Sequence, residues 1–350
     1  MLRILTNTLL CLAFVHMGVG VPQRMRRQTA TFKVTRPEIL TEKMKQYLGP
    51  SVKNDILVKT HDPKWPRSLP KEFDLRKEFP ECTDQLSKAM DEGACDTDAP
   101  SIVSSILSDK YCIQTGGEEK KQLSADFLMG CAERCKDSAY IAMSWIYTEW
   151  GIPTGGDYGS SVGCQPYSYK PCRHTLGKYL GMEKKVSFDQ LGSEKSDELE
   201  ECKDAYSKVK QNKCTSKCTN KNYHSKTIQN DTVISVEDWY FLPENNETAM
   251  KSEIMARGPI AVGFTLYDDF FEYKSGIYHV RKGATEATLW KHAKVIGWGE
   301  ENGEKYWLAV NTWSDFNEGN QIVKFGIDDA CIQEYVTSGH LFEDVHPDDY

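Results

Sequence analysis

Gly297-Trp298-Gly299-Glu300-Glu301-Asn302-Gly303-Glu304-Lys305-Tyr306-Trp307-Leu308-Ala309-Val310-Asn311-Thr312-Trp313 is the stretch on which the fold turns. Asn302-Gly303 separates two runs that alternate or run apolar, Thr288 to Trp298 and Lys305 to Val310. Asn and Gly tolerate the positive backbone angles of a two-residue hairpin, so Glu301 to Glu304 predicts a tight turn between antiparallel strands. Ile260 to Leu266 adds a third apolar run, and from Gly258 onward the chain reads as a sheet.

Toward the N-terminus the period changes. Ile102, Val103, Ile106 and Leu107, between Pro100 and Cys112, fall on one helical stripe. Ile141 to Trp150, with Trp145 and Ile146 inward, predicts a second helix. Residues 160–225 are rich in Cys and Lys and poor in apolar periodicity. An irregular stretch that long is uncommon in a compact domain unless it is functional or stapled. Residues 21 to about 66 are polar and basic, with a short helical pattern at Ile39, Leu40, Met44 and Leu48 that stops at Gly49-Pro50. They read as an appended segment. Helices first, cysteine-rich loops next and an antiparallel sheet last make an α+β chain in two lobes, with no internal repeat.

The 350 residues carry 43 basic and 51 acidic side chains, a net charge of −8. A mild acidic excess spread along the chain argues against nucleic-acid binding, which needs a basic face. Twelve irregularly spaced cysteines suggest an oxidising compartment. Arg3, the apolar run Leu9 to Val15 and the small residues Gly18 and Gly20 read as a cleaved signal peptide, because the run is too short to span a bilayer. No later stretch is long and apolar enough to span. Asn230-Asp231-Thr232 and Asn246-Glu247-Thr248 are glycosylation sequons that fit a secretory route. Arg24-Met25-Arg26-Arg27 reads equally well as a convertase site or a solvated basic patch. Secreted or lysosomal location follows as the expectation.

Several segments match one family. Leu69-Pro70-Lys71-Glu72-Phe73-Asp74-Leu75-Arg76 is similar to the mature N-terminus of papain-type cysteine peptidases. Glu92-Gly93-Ala94-Cys95-Asp96-Thr97-Asp98-Ala99 stands where that family has Gln-Gly-x-Cys-Gly-Ser-Cys-Trp. Val162 to Tyr167 and Pro171-Cys172-Arg173-His174 resemble the occluding loop of cathepsin B, and Gly297 to Trp313 resembles the C-terminal sheet with its Asn-Ser-Trp. The resemblance covers roughly residues 35 to 345. It implies a papain-like fold with a helical L lobe and a β-barrel-like R lobe. It also implies a signal peptide over 1–20, a pro-segment over 21–67 and a peptidase domain over 68–350, with the occluding-loop region about 160–225.

In that family a Cys thiolate attacks the scissile carbonyl, a His holds the ion pair, an Asn orients the His and a Gln side chain helps bind the oxyanion. The nucleophile position is Asp98, whose carboxylate is a far weaker nucleophile toward an amide. Asp98 or Thr97 would instead cap the helix opened by Pro100. Glu92 replaces the oxyanion Gln and would oppose a developing negative charge, and Ala99 replaces the Trp that covers the site. Counting back from Gly297 without gaps puts Lys291 at the histidine position, with His292 one residue later. Strand parity favours Lys291 and predicts an Asp98–Lys291 ion pair, unless a bulge turns His292 inward. Asn311 matches the orienting Asn, a residue that can equally bond backbone.

The glycines lining the family's cleft fall at Ser138 and Ala139, whose side chains would obstruct a peptide. His174 matches the first occluding-loop histidine and Thr175 replaces the second, so His174 reads as an exposed loop residue. The acidic residue of the specificity pocket falls near Glu334 or Tyr335. By resemblance the disulfides are Cys82–Cys112, Cys131–Cys214, Cys164–Cys218 and Cys172–Cys202, with Cys135 a substitute partner for Cys95 and Cys331 unpaired. Zinc at Cys131-x3-Cys135 and Cys214-x3-Cys218 is the alternative reading. No cofactor or metal is expected. The implied function is a cathepsin B-like homologue that has lost catalysis and binds a peptide, an inhibitor or an extracellular protein. An active peptidase with atypical residues and a structural matrix glycoprotein are the alternatives.

Overall fold

The computed structural model describes residues 59, 61–62, 64–94, 98–132, 151–175, 200–202, 213–231, 233–234 and 236–341. The expected helices at 38–48 and 141–150, and Cys95, Thr97, Cys135, Ser138 and Ala139, lie outside them.

Helix α1 (Ala99–Gln114) carries its apolar stripe inward: Ile102, Val103, Ile106 and Leu107 are fully buried. Pro100 opens it, at a position where the missing N–H costs nothing. Gly116 and Gly117, both at positive φ, end it, and the Gly117 N–H donates to Cys112 O at 2.8 Å. Helix α2 (Glu247–Arg257) is capped by Asn246, whose side-chain oxygen accepts the Ala249 N–H at 2.9 Å, and it stops at Gly258. The Asn246 of the second sequon is therefore a helix cap, while Asn230 of the first is exposed.

Among the described residues the strands are, in chain order, β1 (Phe73–Asp74), β2 (Ile152–Pro153), β3 (Val233–Ile234), β4 (Val236–Phe241), β5 (Ile260–Tyr267), β6 (Ile277–Tyr278), β7 (Glu286–Glu301), β8 (Glu304–Val310), β9 (Ile322–Gly326) and β10 (Tyr335–Leu341). β2 and β3 pair alone. The main sheet runs β4-β10-β5-β7-β8-β9-β6, with β1 added on β7. The turn between β7 and β8 has Asn302 at φ 52° and Gly303 at φ 82°, as the sequence predicts. The same hairpin contains an irregularity that the sequence does not announce. Val295 faces Ala309 and Gly297 faces Leu308, so Ile296 is an extra residue on β7.

Helix and sheet share one apolar core that runs from Leu75 and Ile102 to Trp307 and Phe325. They are also joined by charge. Lys294 of β7, fully buried, donates to Asp109 of α1 at 2.6 Å, to the carbonyls of Lys88 and Gln85 and to Ser105 Oγ. Around 160–225 the described chain is irregular and stapled by Cys131–Cys214, Cys164–Cys218 and Cys172–Cys202, while Cys82–Cys112 ties α1 to the chain before it. The zinc reading fails for Cys131, Cys214 and Cys218, because a disulfide sulfur is no thiolate ligand. Cys331 is also disulfide-bonded, to a partner outside the described residues, and is not the expected unpaired thiol.

Candidate active site

The mouth of α1 meets β7 at Asp98. Asp98 is the last residue before the helix, but its side chain is not the expected cap. Its backbone is already helical (φ −91°, ψ −10°), whereas a capping residue is extended, and its oxygens go elsewhere. Oδ2 accepts the backbone N–H of His292 at 2.6 Å and Oδ1 lies 2.7 Å from the His292 ring Nδ1. Lys291 Nζ is 3.2 Å from Oδ2.

The ion pair Asp98–Lys291 is thus present, and the choice between Lys291 and His292 dissolves. In β7, Lys291 stands opposite Phe264 and His292 opposite Gly263. Neighbours in a strand point to opposite faces. His292 reaches Asp98 directly, and the extra residue at Ile296 defeats an ungapped count back from Gly297. Lys291 reaches it with a four-carbon stem. His292 is buried, not the partly exposed strand histidine expected, and Tyr335 packs edge-on against it.

Glu92 is fully buried beside them. Lys291 Nζ approaches both of its oxygens, at 2.5 and 2.7 Å, and Thr312 Oγ1 and Trp313 Nε1 donate at 2.7 and 3.3 Å. Its charge is compensated by Lys291 and does not face an open oxyanion position. Asn311 donates to Gln321 O at 2.9 Å and accepts the Trp313 N–H at 2.7 Å, so it braces backbone. Glu334 and Tyr335 are both buried.

His174 is the clearest departure from expectation. It is buried, not exposed, because its ring stacks on Trp313 (centroids 5.2 Å, 15° between planes) and sits between Asp91 and Glu92. Asp91, Thr312 and Ser314 belong to this cluster and were not singled out in the sequence. Asp91 next to Glu92, and polar residues flanking Trp313, were the signal available. Burial opposes the charge on Asp98, but Lys291 and then His292 outweigh it and hold that carboxyl well below the ordinary range. Burial likewise opposes the charge on Lys291, and Asp98 and Glu92 raise it. The arrangement is a closed set of ion pairs in which no described cysteine is free.

The model of papain family cysteine proteases matches residues 69–331, most of the length of the chain. The chain belongs to the papain family. Within it, cathepsin B-like cysteine proteinase 4 of Caenorhabditis elegans is 30% identical over 252 residues, covering 71% of this chain and 67% of that protein. The cathepsin B-like cysteine proteinase of Schistosoma japonicum is 31% identical over 280 residues, covering 77% and 73%. Among solved structures, procathepsin B S9 from Trypanosoma congolense superposes with a TM-score of 0.60 at 25% identity, covering 81% of this chain and 82% of that one. The papain-like α+β fold in two lobes is therefore that of this chain, and the likeness is to the cathepsin B-like members. Among the described residues no helix is long and apolar enough to cross a membrane.

Proposed function

We propose that this chain is a catalytically inactive cathepsin B-like homologue that acts by binding a peptide, an inhibitor or another protein. Asp98 stands at the nucleophile position, Lys291 and His292 share the histidine position, Asn311 has the orienting-Asn position and Glu92 the oxyanion position. The observation that carries this reading is the state of Asp98. Both of its carboxylate oxygens are held by His292, with Lys291 3.2 Å away, and the side chain is buried. A carboxylate so held is a far weaker nucleophile toward an amide than a thiolate, and among the described residues no free cysteine replaces it. Glu92, tied to Lys291, Thr312 and Trp313, offers no donor to an oxyanion.

The signal peptide, the sequons at Asn230 and Asn246 and the four stapled bridges support a secreted or lysosomal protein. Ser138 and Ala139 in place of glycines support a cleft that excludes an extended substrate. The test is an assay of the purified, processed protein on dipeptide substrates of cathepsin B. No turnover is expected from the wild type or from Asp98→Ala. Turnover in the wild type that vanishes in Asp98→Ala would establish the atypical active peptidase instead.

A further inference from the structure

His174 stands close to two aspartates, Asp91 and Asp315. His174 Nε2 lies 3.7 Å from Asp91 Oδ1, and Nδ1 lies 3.6 Å from Glu92 Oε1. Asp315 approaches from another side. Its Oδ2 accepts the backbone N–H of His174 at 3.2 Å, while its Oδ1 is buried without a hydrogen-bond partner. One donor atom from each of Asp91, His174 and Asp315 lies within 4.8 Å of the other two.

Three features go beyond proximity. The first is fixation. Asp91 is held by the Gly93 N–H at 2.7 Å and by Ser314, through N–H at 2.8 Å and Oγ at 2.5 Å. His174 is held by Trp313, with Glu92 behind Nδ1. The second is spacing. The 3.7 Å gap exceeds an N–H···O bond of about 2.7–3.2 Å. It is close to the roughly 3.3 Å between two ligands of a tetrahedral ion with bonds of about 2.0–2.1 Å. The third is charge. Asp91, Glu92, Asp98 and Asp315 crowd one region and repel one another; Lys291 pairs with Glu92 and Asp98, His292 with Asp98, and His174 faces Asp91 and Glu92. A cation placed there would relieve that repulsion.

We propose that Asp91, His174 through Nε2 and Asp315 through Oδ1 form a binding site for a divalent cation of the zinc class. One nitrogen and two carboxylate oxygens are a donor set that suits Zn²⁺. Asp315 is partly buried, while Asp91 and His174 are buried. Cys172 and Cys202 also lie near His174, but their sulfurs are joined and supply no thiolate.

The site is tested by titrating the chelator-washed full chain with Zn²⁺ calorimetrically and with Co²⁺ by visible absorption. One saturable equivalent is expected, with Co²⁺ bands of a four-coordinate nitrogen–oxygen site. Asp315→Asn, nearly isosteric and partly exposed, should weaken binding at least tenfold, and His174→Gln should do the same. His279, which lies against Asp329 and Glu304 on the surface, is a rival place for an adventitious ion. His279→Ala should leave the binding unchanged. No saturable binding by the wild type, retention of full affinity in Asp315→Asn, or loss only in His279→Ala would each overturn the proposal. If His174→Gln does not fold, Asp315→Asn alone decides.

Discussion

Nδ1 of His292 lies 2.7 Å from Oδ1 of Asp98, and the N–H of the same residue donates to Oδ2 at 2.6 Å. One strand residue thus clamps both oxygens of the carboxylate at the start of α1. Removing one partner of a buried pair leaves the other charge uncompensated, typically at about 3–5 kcal/mol. Asp98→Ala, which leaves His292 without its carboxylate and Lys291 with Glu92 alone, is expected to lower stability by an amount in that range in urea unfolding. Asp98→Asn, which keeps the shape and one acceptor, should cost less. A loss under about 1 kcal/mol for Asp98→Ala, the level of an exposed pair, would count against the clamp.

Acid and near-neutral behaviour separate two buried carboxyls. Burial pushes Asp109 up to about 6 in spite of Lys294, and burial pulls Lys294 down. An unfolded Asp titrates near 3.9. Between about pH 4 and 6 the folded chain therefore holds the extra proton, and stability falls as pH rises through that window. Asp98 acts in the opposite sense. Its folded value is depressed, so its contribution is present above about pH 4 and is lost as pH falls below it. Urea midpoints across pH should show Asp109→Asn flattening the decline between about pH 4 and 6 and keeping the acid limb. Stability of the variant should be lower above about pH 6, where Asp109 is ionised in the wild type and Lys294 loses its charged partner.

The main architecture was legible because it rests on period and turn chemistry. Ile102 to Leu107 on one stripe and Asn302-Gly303 between two runs require no distant information, and they lie where expected. The site was legible in its residues and less so in its geometry. The extra residue at Ile296 shifts strand parity and leaves no mark in sequence, so Lys291 and His292 looked like rivals when both reach Asp98. His174 looked exposed because nothing in a loop sequence reveals stacking on Trp313, 139 positions away by number. Buried charges such as Lys294 and Glu253 hide for the same reason, since their partners come from other elements.

Residues 21–67 were expected to be a pro-segment. Its described part is tied to α2 and β4. The Trp65 indole donates to Glu253 Oε2 at 2.9 Å, and Asp62 meets Arg257 at 2.8 Å. The Lys59 N–H donates to Phe241 O at 2.9 Å, with its ammonium 4.1 Å over the Tyr240 ring. Glu253 is fully buried and also accepts from Tyr240 and Ser338. Trp65→Phe keeps most of the packing but removes the donor. An unmet buried acceptor costs about 1–3 kcal/mol, more when charged. Urea unfolding should register that loss, and a chain begun at Ser68 should unfold at a lower midpoint than one begun at Lys59. Equal midpoints would return the segment to the role of a dispensable leader.

Restoring the thiol tests how far catalysis has been dismantled. Asp98→Cys supplies a nucleophile beside His292, but Glu92 still fills the oxyanion position, Ala99 still replaces the covering Trp and Asn311 still braces backbone. Turnover on dipeptide substrates is expected to stay near background. Adding Glu92→Gln restores the donor, yet it removes the second carboxylate that Lys291 holds at 2.5 Å. Lys291 would then be a buried ammonium without either partner. The two substitutions act through one side chain, so their stability losses should not add. A double-mutant cycle in urea should give a coupling of about 0.5–3 kcal/mol between Glu92 and Asp98. Additive losses would show that Lys291 does not join the two carboxylates. Substantial turnover by Asp98→Cys alone would show that the loss of activity lies in one atom and not in the whole ion-paired cluster.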